Sequence, residues 1–442
     1  MTTHSDKTAD PGAPGAAGTA PSATGTAPTL AAADFANDKA SASLGESFRD
    51  YRDRLRGGDM GALPAVLGLV ALFIVFSALR PDSFTSALNI ANLMTQASAI
   101  SVLAMGLIPV LLLGDIDLSA GVAGGMAAGF TAVAIDRNGI SWPLAVLIGI
   151  AVGALVGLAI GLLVSKLGIP SFVVTLAFFL GLQGVILKLI GLGGTVPVRD
   201  GVLRGITIKS MPPVAGWIVV VALLALYGGL LFWRQRRLTQ KNLQRPPASL
   251  VAVKFGGLAL VVVVVTVILS QNRSRVPTFQ IAGIPYAVFV VGALLIFWTF
   301  VFGRTAYGRH MYAVGGNTEA ARRAGINVDR LRMSAFVICS SMAAISGIIT
   351  ASYDGKVSPG SGGGNVLLYA VGAAVIGGTS LFGGKGLIRD AVIGGLVIAT
   401  IDNGLGLLNQ AAYINYIITG SVLLLAASVD AVSRRRRSAT GT

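Results

Sequence analysis

Apolar residues along the chain fall into long blocks separated by short polar or glycine-rich stretches, near residues 61–79, 96–113, 119–135, 143–164, 171–192, 214–233, 251–270, 284–302, 334–351, 366–381, 387–408 and 413–429. Most run for about 17 to 23 residues, the length of helix that crosses a hydrocarbon core of roughly 30 Å. A transmembrane barrel would instead show weakly alternating segments of about ten residues. The pattern therefore predicts an all-α, polytopic transmembrane bundle of twelve spans, with ten to fourteen as the range that Gly and Pro interruptions leave open.

Composition supports that reading. Of 442 residues, 54% are hydrophobic and 12% charged, against about 25% charged for a soluble domain. The net charge of +15 would suit nucleic acid if the basic residues gathered on one face, but they are dispersed between apolar blocks, so no nucleic-acid partner is expected. Assigning alternate connections to opposite sides from a cytoplasmic start puts 22 Lys and Arg on the inner side and eight on the outer, the asymmetry that orients membrane proteins. Both termini are accordingly expected in the cytoplasm. Residues 1–48 read as a disordered cytoplasmic tail, since 24 of the first 30 are Ala, Gly, Pro, Ser or Thr. The first apolar run follows Arg49, Arg52, Arg54 and Arg56 too far along the chain for a cleaved signal, and reads as a retained span. The membrane domain is set at 49–432, with a basic cytoplasmic link at 234–249, and 433–442 form a basic tail.

Catalytic and metal chemistry have little to work with. The single cysteine, Cys339, lies in an apolar block, and only His4 and His310 carry imidazole, so no metal site and no catalytic residue is assigned. Glycines recur every fourth residue at Gly121, Gly125 and Gly129, and again from Gly149 to Gly161. Such ridges let helices approach closely in lipid, with pore lining as the alternative.

The longest charged connection, residues 303–333, reads GRTAYGRHMYAVGGNTEAARRAGINVDRLRM. Within it Asn317 suits an N-cap, Glu319 the first turn, Arg322 and Arg323 the last, and Gly325 a left-handed C-terminal position. About two turns of helix cannot stand alone in water, so this segment must dock, on a partner or on the protein's own cytoplasmic face.

At these residues the chain resembles the inner-membrane permeases of bacterial ABC sugar importers of the ribose and xylose group, in the segment GRHMYAVGGNTEAARRAGINVDRLRM. GDIDLSAG from Gly114, IPSFVVTLAF from Ile169, VIGGTSLFGGKG from Val375 and IDNGLGLL from Ile401 resemble that family in the same order. The extra pair of spans around RQRRLTQKNLQRPPAS resembles the xylose-type members. The resemblance implies a homodimeric permease in the bacterial inner membrane, coupled to a cytoplasmic ABC ATPase and fed by an extracytoplasmic sugar-binding protein. It implies that Gly315, Gly316, Asn317, Glu319, Ala320, Ala321, Arg322 and Gly325 couple to the ATPase, which would carry ATP and Mg. This chain is expected to hold no cofactor: GTSLFGGKG has five residues before Gly-Lys where a P-loop has four, and ends in Gly where Mg²⁺ needs Ser or Thr.

A neutral sugar needs amides and hydroxyls along its route. Asn92, Gln96, Ser171, Thr175 and Asn403 offer them, Phe172 and Asp402 stand beside them in the sequence, and Asp117 and Ser119 are further candidates for the route. Asp115 and Asp117 so near a span end require a helix break or access to water. Asp117, helped by Ser119, caps the next helix or touches the sugar. An ion-coupled secondary transporter is the alternative, and it has no need of the 317–325 helix.

Overall fold

The computed structural model describes residues 61–241, 246–274 and 280–409, together with residue 45 and scattered positions from 411 to 431. The expectations for the rest of the 1–48 tail, for the arginines at 49–56, for Arg245 and for the 433–442 tail fall outside the described residues. Eleven of the twelve apolar blocks each coincide with one helix: α1 Leu63–Leu79, α3 Ala87–Leu112, α4 Ala120–Asp136, α5 Trp142–Lys166, α6 Ser171–Ile190, α8 Pro213–Gln240, α9 Ala248–Ser270, α10 Tyr286–Arg304, α13 Val328–Asp354, α14 Val366–Gly377 and α15 Ile388–Leu407. Eight of these are long and apolar enough to span a bilayer, while α1, α4 and α14 are shorter. The described positions between 413 and 428 are helical. Minor elements are α2 Pro81–Phe84, α7 Gly201–Ile208, α11 Ala306–Gly316, α12 Thr318–Arg323 and four two-residue strands, β1 Val196–Pro197, β2 Ser210–Met211, β3 Ile284–Pro285 and β4 Lys356–Val357.

Local sequence sets most helix starts. Pro170, Pro212, Pro247 and Pro285 occupy the N-cap positions of α6, α8, α9 and α10, where a missing N–H costs nothing and the extended backbone that prolines favour leads into the helix. The Ser86 and Asn327 side chains accept from the Asn89 and Arg330 amides to start α3 and α13. The block at 366–381 is helical only to Gly377, because Gly378 takes φ +120° and the chain turns out of the helix. Twelve residues make about 18 Å of helix, short of a crossing.

α3 is the central helix, with residues such as Leu103, Leu107 and Leu111 fully enclosed. α10, α13, α14 and α15 pack against it, α4 and α5 pack together on α13, and α8 and α9 form a peripheral hairpin with mostly exposed side chains. The ridge on α5 serves packing: a Cβ on Gly153 would stand 2.6 Å from the Ser340 carbonyl oxygen on α13, and Gly157 and Gly161 abut Phe336 and Met333 in the same way.

Connections meet in two separate groups. At one end the Gly384 amide donates to the Leu112 carbonyl, Lys166 pairs with Asp329 at 3.3 Å, and the Tyr312 hydroxyl donates to the Gly386 carbonyl. At the other, β1 pairs antiparallel with β4 and β2 with β3, Arg137 donates to the Leu189 and Ile190 carbonyls, and Arg273 donates to Ser210. Each group joins connections that the charge count places on one side.

Candidate functional site

At the first end, α11 leads directly into α12. The sequence reading did not anticipate α11, whose glycines, His310 and Arg309 hide its helical pattern; it is started by the Thr305 side chain accepting from the Gly308 amide. The Asn317 side chain accepts from the Ala320 amide at 2.9 Å and caps α12. Glu319 pairs with Arg322 at 3.1 Å and Arg323 at 3.5 Å, and Gly325 takes φ +82° beyond the C-terminus. α12 has six residues, somewhat less than the two turns expected. Ala321 is buried and anchors it, whereas Asn317, Glu319, Ala320, Arg322 and Gly325 are exposed. Gly316, also exposed, ends α11, while the half-buried Gly315 approaches the Leu112 carbonyl and the Gly384 amide so closely that a side chain there would collide with backbone. The short helix therefore sits on the protein's own surface through one residue and presents the remainder outward.

Arg332, in the first turns of α13, reaches Asp115 with Nε to Oδ2 at 2.9 Å and Nη2 to Oδ1 at 3.3 Å. Asp115 is 6% exposed. Burial pushes its carboxyl above the usual carboxylate range, and the Arg332 charge opposes that rise. Asp115 lies in the break between α3 and α4, which satisfies the requirement that two aspartates place on this segment. Asp117 Oδ1 accepts from the Ser119 amide at 2.9 Å and the Ser119 hydroxyl at 2.6 Å. This is a turn ahead of the helix, with Ser119 at the N-cap position making no cap bond of its own. Ser171 Oγ accepts from the Ile116 amide, and the Thr175 hydroxyl donates to the Ser171 carbonyl at 2.9 Å, so both stand beside this break. Phe172, on the same turn, is exposed.

The other residues predicted for a sugar route lie elsewhere. Asn89 donates to Asn403 Oδ1 at 2.9 Å, Asn403 to Gln96 Oε1 at 3.4 Å, and Gln96 Nε2 to the Tyr353 hydroxyl at 3.1 Å. This amide chain flanks a cavity of about 160 Å³ whose polar lining is Thr95, Gln96, Ser346, Thr350, Tyr353 and Tyr369. The Thr95, Ser346 and Thr350 hydroxyls donate to backbone carbonyls, leaving the amide and the two tyrosines as the groups best placed to meet a polyol. Asn92 and Asp402 are exposed. Gln96 and the 113–119 break stand about 24 Å apart along α3, so the structure gathers the predicted polar residues into two groups at different depths. Tyr353, Tyr369, Asn89 and Arg332 were missed from sequence; only the position of the tyrosines at the ends of apolar blocks would have signalled them.

With this geometry in place, comparison with known proteins is informative. Residues 89–427 match the family described as branched-chain amino acid transport system / permease component. A xylose transport system permease protein of Haemophilus influenzae is 33% identical over 385 residues, covering 87% of this chain and 99% of the relative. Its Escherichia coli counterpart is 34% identical over 373 residues, covering 84% and 92%. A ribose import permease protein of Escherichia coli is 29% identical over 370 residues, covering 83% and 92%. No solved structure matches. The chain belongs to this permease-component family, as a multi-pass inner-membrane permease subunit of the ribose and xylose group of ABC sugar importers rather than an enzyme.

Proposed function

We propose that this permease carries D-xylose, delivered by an extracytoplasmic binding protein and driven by a cytoplasmic ABC ATPase that docks on the exposed face of α12, with two permease copies forming the pore. The observation that carries the coupling role is the placement of α12: a capped helix anchored by Ala321, exposed elsewhere, and packed on α13, whose Arg332 pairs with Asp115 at the α3–α4 break. Movement of α12 against α13 would thereby reach the mouth of the bundle. The substrate reading rests on similarity to the xylose permeases and on the α8–α9 hairpin, and an uncharged lining of amide and tyrosine hydroxyl suits a sugar. Uptake of labelled xylose, ribose, galactose and glucose by cells with and without the gene tests it. Loss of xylose uptake is expected; loss of ribose uptake alone would overturn the xylose assignment.

The proposed orientation puts both termini, residues 234–249 and residues 303–333 in the cytoplasm. A cysteine at Thr239 should resist an impermeant thiol reagent in intact cells and react after permeabilisation. Reaction in intact cells would overturn the twelve-span orientation.

Coupling is tested by combining Asn317→Ala with Ala320→Gly. Loss of the cap costs about 1 kcal/mol and glycine a further 0.8 to 1 kcal/mol or so, enough to melt six residues of helix. Co-purification of the ATPase should fall about tenfold or more while membrane insertion is unchanged, because the spans are untouched. Ala321 is left intact, since its burial would mix packing with helicity. Undiminished ATPase binding would count against α12 as the docking element.

A further inference from the structure

α8 and α9 meet closely at one level and part below it. Gly228 makes the approach possible, since a Cβ there would stand 3.1 Å from the Phe255 ring, and Tyr227 packs on the same ring with centroids 6.1 Å apart. From that crossing toward the 241–248 link the helices diverge around a crevice of about 630 Å³, within the roughly 300–1,000 Å³ of small-molecule sites. Its composition changes with depth. Leu231, Val251, Ala252 and Phe255 line the end nearer the crossing, and Gln235, Arg236, Thr239, Gln240 and Ala248 the end nearer the link.

Above this apolar slot the surface is cationic. Arg234, Arg236, Arg237 and Lys241 are all exposed, as is Lys254 on α9. No Asp or Glu occurs from residue 201 to residue 318, so the hairpin carries no acidic residue to balance them. The Arg237 guanidinium lies 4.3 Å over the Trp233 ring and that of Arg236 5.9 Å over Phe232. Both rings are more than half exposed, and exposed aromatics at a span end mark the headgroup level of a bilayer. The guanidinium layer thus stands at the depth of lipid phosphates, with Arg236 itself lining the crevice.

We propose that this crevice is a seat for one anionic phospholipid, with an acyl chain between α8 and α9 and the phosphate held by Arg236 and its neighbours. Charge complementarity and the vertical order of apolar slot, aromatic ring and guanidinium select an amphiphile with an anionic head over a free anion or a purely apolar molecule. The link supports the shape: Gln235 Nε2 donates to the Pro246 carbonyl at 3.0 Å, bracing the base of the hairpin. The proposal depends on membrane residence and not on the identity of the transported sugar.

The test is native mass spectrometry of the full-length permease in mild detergent, titrated with phosphatidylglycerol or with phosphatidylcholine of the same acyl chains. The permease should retain phosphatidylglycerol with about fivefold or greater preference, the effect of one cation at a membrane surface. Arg236→Glu should abolish the preference, and Ala252→Trp, which fills the slot without changing charge, should remove the bound lipid altogether. Equal retention of the two lipids by the unmodified protein, a preference that survives Arg236→Glu, or occupancy unchanged by Ala252→Trp would each overturn the proposal, as would a co-purified protein in place of lipid.

Discussion

Gly153→Val is expected to abolish recovery of folded permease. Its first added carbon would stand 2.6 Å from the Ser340 carbonyl oxygen and 3.0 Å from the Ala344 Cβ, and the nearest of these is backbone that cannot rotate aside. The two γ-methyl groups of valine enlarge the conflict, so α5 must leave α13 along the whole ridge that Gly157 and Gly161 continue. Overpacking typically costs about 1 to 3 kcal/mol where side chains can adjust; against fixed backbone the cost is expected at or above the upper end, and lipid supplies no hydrophobic drive to restore the contact. Monodisperse yield in detergent is the measurement. Gly256→Val on α9, which meets nothing within 4 Å, is the comparison and should behave as the unmodified protein. If Gly153→Val folded normally and only transport failed, the ridge would be pore lining rather than packing.

Arg332→Ala should produce the next largest effect, about 1.5 to 3 kcal/mol of lost stability. The reason is the buried partner: Asp115 is enclosed, and without the guanidinium its carboxylate must stay buried with no counter-charge or take up a proton. The cost should be much smaller in an Asp115→Asn background, where no charge is left behind. Thermal unfolding of the four proteins forms a double-mutant cycle. Equal costs of Arg332→Ala in both backgrounds would show that the pair contributes nothing. Transport should fall further than ATPase co-purification in Arg332→Ala, because α12 keeps its exposed face while losing its link to the α3–α4 break.

How far the sequence could be read depended on the range of the interactions involved. The ends of α12 were legible because Asn317, Glu319, Arg322, Arg323 and Gly325 act within four residues of the backbone groups they satisfy. The same holds for the eight helices long enough to span a bilayer, whose lengths follow its thickness rather than their neighbours. α11 escaped notice because its buried positions, Gly308, Met311 and Val314, form a three-residue stripe among polar residues and glycines. The glycine ridges announced that some helix comes close, but nothing in their spacing names α13 as the one.

The sequence by itself determined a helical membrane protein, the charge asymmetry of its connections, the capped helix of the 303–333 connection and the mismatch of GTSLFGGKG to a P-loop. Each is a property of composition or of residues a turn apart. Tertiary structure alone decided that Asp115 meets Arg332 across 217 residues and that Gln96 meets Asn403 across 307. It also decided that the polar residues divide into two groups along α3. Packing in a bilayer is set by the fit of small surfaces and by the few hydrogen bonds that polar side chains find there, and many pairings of apolar helices satisfy a hydropathy pattern equally well.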